Sequence, residues 1–168
     1  ITNKKENYEM RLENKTAVVT GAASGLGKAI VEKFLEEGSK VIIVDINEDA
    51  GRELSEKLGS STLAVSADVG DANSIENLKK SLTESFKKVD IVVNNAGVTH
   101  LPTPLDEVTE DDFDRVFRVN CKSVYLMAKA FVPNMKSQGS GSILNIASTA
   151  GVSPRPNLNW YNSSKGWM

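Results

Sequence analysis

The stretch "TAVVTGAASGLGKAIVEKFLEEG", Thr16–Gly38, decides how the rest of the chain is read. Thr16–Thr20 is a β-branched run that stops at Gly21, as a short buried strand does. Glycines at 21, 25 and 27 then open a segment with Leu26, Ile30 and Phe34 at i, i+4, i+8, a helical apolar stripe that closes at Gly38. A glycine-rich turn between strand and helix lets the backbone approach a pyrophosphate whose charge faces the helix N-terminus. It is not a P-loop, because Ala22 and Ala29 stand where that pattern needs its first Gly and its Ser/Thr. Taken alone, the glycines also fit a tight turn that needs them only for packing.

Moving outward, the same alternation repeats. "KVIIVD" (Lys40–Asp45) is a near-continuous apolar strand of the kind buried on both faces. "NEDAGRELSEKLG" predicts a helix with Asn47 as its cap and acids in its first turn. "TLAVSADV" gives a third strand, "ANSIENLKKSLTESF" a helix with Ile75, Leu78, Leu82 and Phe86 on one face, and "DIVVNNAG" a fourth strand. A long helix is expected from about Glu110 to Gln138, capped by Thr109 and kinked or ended early by Pro133. It is expected to bury Phe113, Val116, Phe117, Val124, Met127 and Phe131. "SILNIAS" (Ser142–Ser148) is the fifth strand. Strands separated by helices of this length imply an α/β doubly wound parallel sheet, a Rossmann-like arrangement. Ligands of such sheets bind beyond the carboxyl ends of the strands, where strand order reverses.

Composition narrows the partners. The 168 residues suit one domain, residues 10–168, with a polar extension at 1–9 before Met10. Twenty basic residues against twenty-two acidic ones give a net charge of −2, with no Lys/Arg block to suggest nucleic acid or a membrane surface. One cysteine, Cys121, rules out an internal disulfide framework and fits the cytoplasm. The sequence holds no membrane-length apolar run. The pairs Asn14/Thr16 and Asn162/Ser164 match a glycosylation pattern by chance.

Several residues fall where that fold puts chemistry. Asp45 ends strand two, where a carboxylate accepts both hydroxyls of an adenosine ribose and repels a 2′-phosphate, which favours NAD over NADP. A calcium loop at Asp45, Asn47, Asp49 and Glu56 competes, but Ala50 stands where that loop needs Gly, and a strand precedes it. No metal is expected. In "NNAG" (Asn94–Gly97) small residues allow close passage of a cofactor and the amides can tie strand ends together. Asn120 lies on an apolar helix stripe and so requires a partner, either as an internal structural amide or in a direct role. Its neighbour Cys121 reads as a small core residue. Ser148 closes strand five without the Gly-x-Ser-x-Gly of a nucleophile elbow, which weighs against a hydrolase built on Ser148 and the single histidine, His100. A lone loop histidine reads as a surface or pocket-rim residue.

In "NWYNSSKGWM", Tyr161 and Lys165 share a helix face at i, i+4. A free phenol, with a pKa of about 10, is a poor base at neutral pH; a nearby ammonium favours the phenolate and makes proton transfer to a substrate oxygen feasible. Alone, the pair is more simply a surface lysine beside a half-buried tyrosine.

Taken together, "TGAASGLG", Asp45, Asp68, "NNAG", Asn120, Ser148 and Tyr161/Lys165 resemble the short-chain dehydrogenase/reductase family, of the TGxxxGxG … NNAG … YxxxK type, from about Met10 to Met168. The resemblance implies an NAD(H)-dependent interconversion of a secondary alcohol and a ketone, of the 3-oxoacyl reductase or small-polyol/sugar dehydrogenase kind. It implies Tyr161 as general acid/base, Lys165 as its modulator and a ribose ligand, Ser148 as the substrate-orienting hydroxyl, and Asn120 in a proton relay. It implies cofactor contacts from Thr20, Gly21, Ser24, Gly25, Leu26, Gly27, Asp45, Ile46, Asp68, Val69, Asn94, Ala96, Gly97, Tyr161 and Lys165. The family pattern runs on past Met168, through further strands, a substrate loop and much of a dimer or tetramer interface. The chain is therefore expected to be a truncated or partly observed form of a homo-oligomeric enzyme, with an exposed sheet edge. A catalytically inactive NAD-binding fragment or a regulatory relative is the alternative, and the 168-residue chain by itself is expected to be inactive if truncated. His100, Leu101, Arg155, Asn157 and Trp160 are expected near the substrate pocket.

Overall fold

The computed structural model describes residues 10–86 and 88–168; the expected extension at 1–9 lies outside them. The chain runs β1 (Thr16–Thr20), α1 (Gly25–Glu36), β2 (Lys40–Asp45), α2 (Glu48–Leu58), β3 (Thr62–Ser66), α3 (Ala72–Ser85), β4 (Ile91–Asn94), α4 (Glu110–Phe117), a π turn (Arg118–Lys122), α5 (Ser123–Ser137), β5 (Ser142–Asn145), a 3-10 turn (Thr149–Gly151) and α6 (Asn159–Trp167). Every strand pair is parallel, in the order β3-β2-β1-β4-β5. The order reverses between β1 and β4, and that crevice is where such a sheet takes its ligand.

Side chains alternate across the sheet and feed two apolar layers. Val18, Ile42, Val44 and Val92 pack with Leu78 and Leu82 of α3 and Met127 and Phe131 of α5. Val19, Val41, Ile43 and Val93 pack on the other face with Val31 of α1 and Leu54 of α2. Burial on both faces explains why β1 and β2 read as unbroken apolar runs. Helix ends follow their caps: Asn47 accepts from the Ala50 N–H at 3.1 Å, and Thr109 from the Asp112 N–H at 3.2 Å.

Three local expectations are corrected. The long helix does break, but at the π turn, where the Ser123 N–H reaches back five residues to the Arg118 carbonyl. Pro133 sits inside α5 without ending it, since its missing N–H deprives one carbonyl in the helix's last turns. Leu26, Phe113 and Phe117 are exposed, at 58%, 38% and 50%. Leu26 lies in the first turn of α1, beside the glycine turn, and Phe113 turns toward α6, where Trp160 meets it edge-on at 5.1 Å. Finally, β3 and β5 stop short, so Asp68 and Ser148 lie in the loops beyond them. On β5, Ile143 and Leu144 stand exposed beside the sheet edge.

At the opposite end of the sheet, Asp90 locks β1 to β4. Its carboxylate is buried and accepts from the Thr16 N–H at 3.0 Å and from Lys88 Nζ at 2.8 Å. Burial works to raise its pKa. The Lys88 bond, the Thr16 N–H and the charges of Lys88 and Lys15 outweigh that and hold it below its ordinary 3.8. Because the folded carboxyl titrates below the unfolded one, its contribution is complete above that value and is lost as pH falls through the lower, folded pKa. Asp90→Ala strands the Thr16 N–H and is expected to cost about 2 kcal/mol at neutral pH, read as a shift of the urea midpoint that shrinks in acid.

Candidate active site

The glycine turn is held by its neighbours rather than by its own residues. Gly21 and Gly25 have φ of +59° and +53°, the left-handed region that glycine enters without strain. A Cβ on Gly21 would lie 2.9 Å from Ala96 Cα, and one on Gly27 would lie 2.1 Å from the Gly21 oxygen and 2.6 Å from Asn95 Nδ2. The turn therefore rests directly on the loop after β4. The Thr20 hydroxyl donates to the Val93 carbonyl and accepts from the Asn95 and Ala96 N–H groups, both at 3.0 Å. Asn95 Nδ2 donates to the carbonyls of Thr20 and Gly21 at 2.9 and 3.0 Å. Ser24 caps α1 through its backbone alone, and with Leu26 exposed the first turn of that helix is open to an anionic group.

Beside this turn a cavity of ≈ 310 Å³ opens at the strand ends. Gly21, Asp45, Ile46, Asp68, Val69, Ala96 and Gly97, all among the expected cofactor contacts, are among the residues that line it. Asp45 spans from the glycine turn to α2, accepting from the Ala23 N–H at its Oδ2 and the Asn47 N–H at its Oδ1, both at 3.0 Å. Asp68 accepts from the Gly70 N–H at 2.9 Å and from Arg118 Nη1. Burial works against its charge, but the Arg118 bond, the Gly70 N–H and the charges of Arg118 and Lys122 hold its pKa below the ordinary value. Thr20 and Asn94 are buried, and the Asn94 amide donates to Asn145 at 2.8 Å. Their side chains therefore tie strand ends together.

Lys165 projects from α6 to the ends of β4 and β5. It is 7% exposed, and its Nζ donates to the Ile146 carbonyl at 3.0 Å. A Cβ on Gly97 would come within 3.2 Å of that Nζ, so the small residue closing "NNAG" makes room for the ammonium. Burial lowers the lysine's pKa, opposed by the nearby Cys121 thiol, whose own pKa burial raises. Asn120 is fully buried in the π turn. Its Oδ1 accepts from the Val98 N–H at 2.8 Å, and its Nδ2 donates to the Val98 carbonyl and to Ser164 Oγ, both at 2.9 Å. Ser164 Oγ in turn donates to the Tyr161 carbonyl at 2.7 Å. The Asn120 side chain is thus a clamp between the loop after β4 and the Tyr–Lys helix. Ser148 caps the 3-10 turn, accepting from the Ala150 N–H at 3.2 Å. Gly151 brings that turn onto α6: a Cβ there would lie 2.8 Å from the Lys165 carbonyl.

A model of the short chain dehydrogenase family matches residues 15–168. The chain belongs to that family. It is 40% identical to the 4-formylbenzenesulfonate dehydrogenase TsaC1/TsaC2 of Comamonas testosteroni over 162 residues, 95% of this chain and 64% of that protein. Among solved structures it matches a 3-ketoacyl-(acyl-carrier-protein) reductase from Brucella melitensis complexed with NADH, at TM-score 0.90 and 41% identity over 93% of this chain and 66% of that one. It also matches an NAD+-bound xylitol dehydrogenase, at TM-score 0.88 and 31% identity over 94% and 62%. The chain thus spans under two thirds of the length of these relatives.

In this member of the family, the expectation for His100 needs correction. His100 is 2% exposed, not at a rim, with Nδ1 against the Leu101 carbonyl at 2.7 Å. Among the described residues, no hydrogen bond joins it to Ser148. Leu101, Arg155 and Asn157 are exposed, with the Asn157 carbonyl accepting from the Thr103 N–H at 2.9 Å. Trp160 packs on Phe113 in a separate apolar groove with Phe117, Cys121 and Trp167. Arg115 and Arg118 also line the cavity, and nothing in the local pattern marks them; Ser164 stands out only as the serine before Lys165, whereas Asn95 belongs to the "NNAG" stretch whose amides are expected to tie strand ends together.

Proposed function

We propose that the protein is an NAD(H)-dependent oxidoreductase that interconverts a secondary alcohol and a ketone. One observation carries this reading: Lys165, buried beside Gly97, has no carboxylate partner among the described residues. An unpaired buried ammonium weakens a fold, so its place one helical turn from Tyr161 argues for chemistry. The cradle fits a dinucleotide, since Gly25, at φ +53° with nothing within 4 Å of where a Cβ would stand, leaves bare backbone open to a pyrophosphate at the N-terminus of α1.

On this reading Gly21, Ser24, Gly25, Leu26 and Gly27 hold the pyrophosphate. Asp45 and Ile46 take the adenosine ribose, Asp68 and Val69 the base, and Ala96 and Gly97 flank the middle of the cofactor. Lys165 binds the second ribose and stands one helical turn from Tyr161, whose hydroxyl gives or takes the proton at the substrate oxygen. Ser148 orients that oxygen. When bound, the nicotinamide supplies or accepts the hydride. The names of two relatives, a 3-ketoacyl reductase and a xylitol dehydrogenase, support a 3-oxoacyl or small-polyol substrate. The single cysteine supports a cytoplasmic setting, and the apolar groove at Phe117 and Trp167 supports a homo-oligomer.

Asp45 makes the cofactor preference testable. By fluorescence titration NADH is expected to bind at least about tenfold more tightly than NADPH, a difference of about 1.4 kcal/mol. Asp45→Ala is expected to narrow that gap. Equal or tighter binding of NADPH by the unmodified protein would refute the preference.

A further inference from the structure

The Arg118–Asp68 contact at the cavity wall takes no part in hydride or proton transfer. Arg118 crosses from the π turn to the loop after β3, and the sequence makes room for it there. A Cβ on Gly70 would lie 2.6 Å from Arg118 Cγ and 3.1 Å from its Nη1, so only glycine lets the arginine stem lie over this turn. Its guanidinium then donates to Asp68 Oδ2 while the Gly70 N–H donates to Oδ1 at 2.9 Å. Both carboxylate oxygens are held, and each keeps a lone pair. Asp68 and Arg118 both line the cavity, alongside apolar Val69 and Val119. The arginine side chain is 42% exposed and the aspartate 30%. An ion pair this open adds little to stability, so the Gly70 gap and the arginine path call for another use.

We infer that Arg118 is a positioning residue for base recognition: it fixes the Asp68 carboxylate so that the cavity presents a hydrogen-bond acceptor to the amino edge of an adenine. The inference rests on the dinucleotide reading. Held by Nη1 and the Gly70 N–H, the Asp68 carboxylate offers this wall lone pairs that accept and do not donate. A base carrying an amino group gains a charge-assisted bond there. A base carrying a carbonyl at the same edge meets a carboxylate lone pair, and a site built to bond one group discriminates strongly against its replacement.

The test measures dissociation constants for NAD and for nicotinamide hypoxanthine dinucleotide, in which a carbonyl replaces the adenine amino group. The unmodified protein is expected to prefer NAD by roughly tenfold or more. Arg118→Met is expected to weaken NAD binding severalfold and bring the two ligands within about threefold, with Arg118→Lys in between because a point charge lacks the planar fork. In an Asp68→Ala background, Arg118→Met is expected to change neither constant, since the arginine acts through that carboxylate. An unchanged NAD/hypoxanthine ratio in Arg118→Met, or a loss that adds in full to that of Asp68→Ala, would overturn the inference while leaving the dinucleotide reading intact. Failure of the unmodified protein to bind either dinucleotide would overturn both.

Discussion

Tyr161→Phe is expected to lower ketone-dependent NADH oxidation by about a thousandfold while changing NADH affinity far less. General acid–base catalysis by one placed group contributes about 10²–10⁴ in rate, and the phenol oxygen is the only atom removed. The fold does not depend on that oxygen, because Ser164 bonds the Tyr161 backbone carbonyl. The half-buried ring remains to pack in α6. Steady-state kinetics beside a binding titration separate the two effects. A variant that kept a tenth or more of the turnover would remove Tyr161 from the proton-transfer step.

Lys165→Met is expected to separate activity from stability in an unusual direction. Turnover should fall by about a hundredfold or more. Thermal stability should hold or rise at neutral pH. Burial lowers the lysine's pKa from 10.5, so the folded state binds this proton less tightly than the unfolded chain. The cost is therefore fully present below the lowered, folded value and fades as pH rises from there toward 10.5. Methionine fills similar space without that cost and gives up the bond to the Ile146 carbonyl and a weaker one to Met168 Sδ. Calorimetry at neutral and alkaline pH reads the effect: the unmodified protein should gain on the variant as pH rises. A melting temperature lowered in Lys165→Met as far as in Asp90→Ala would show that the lysine is a structural residue.

What the sequence showed of this fold depends on periodicity. Lys40–Asp45 and Ile75/Leu78/Leu82 announced themselves because strands buried on both faces and helices buried on one leave distinct spacings, and the structure places them as expected. The break at Arg118–Lys122 left no such mark. It contains neither Gly nor Pro, and Pro133 drew attention to the wrong turn. A π turn takes in an extra residue and rotates the succeeding helix by about 100°, so one stripe extrapolated through it misplaced Phe113 and Phe117. The motif residues around the glycine turn, Asp45 and Asn120 were legible because chemistry constrains their type and order. Asn120 shows the limit: its need for partners was clear, but that they are Val98 and Ser164 emerges only from tertiary structure. Arg118 was invisible for the same reason, since its partner lies fifty residues away. His100 misled because a loop has no period from which burial can be read.

The central claim is that a bound nicotinamide dinucleotide and the Tyr161–Lys165 pair act together on a carbonyl. Its most direct test is absorbance-monitored NADH oxidation by the purified protein against a panel of 3-oxoacyl thioesters and keto-sugars, with Tyr161→Phe in parallel. The expected result is substrate-dependent oxidation with at least one of them, abolished in Tyr161→Phe while NADH still binds. Tight NADH binding with no oxidation across the panel, or oxidation equal in both proteins, would contradict it.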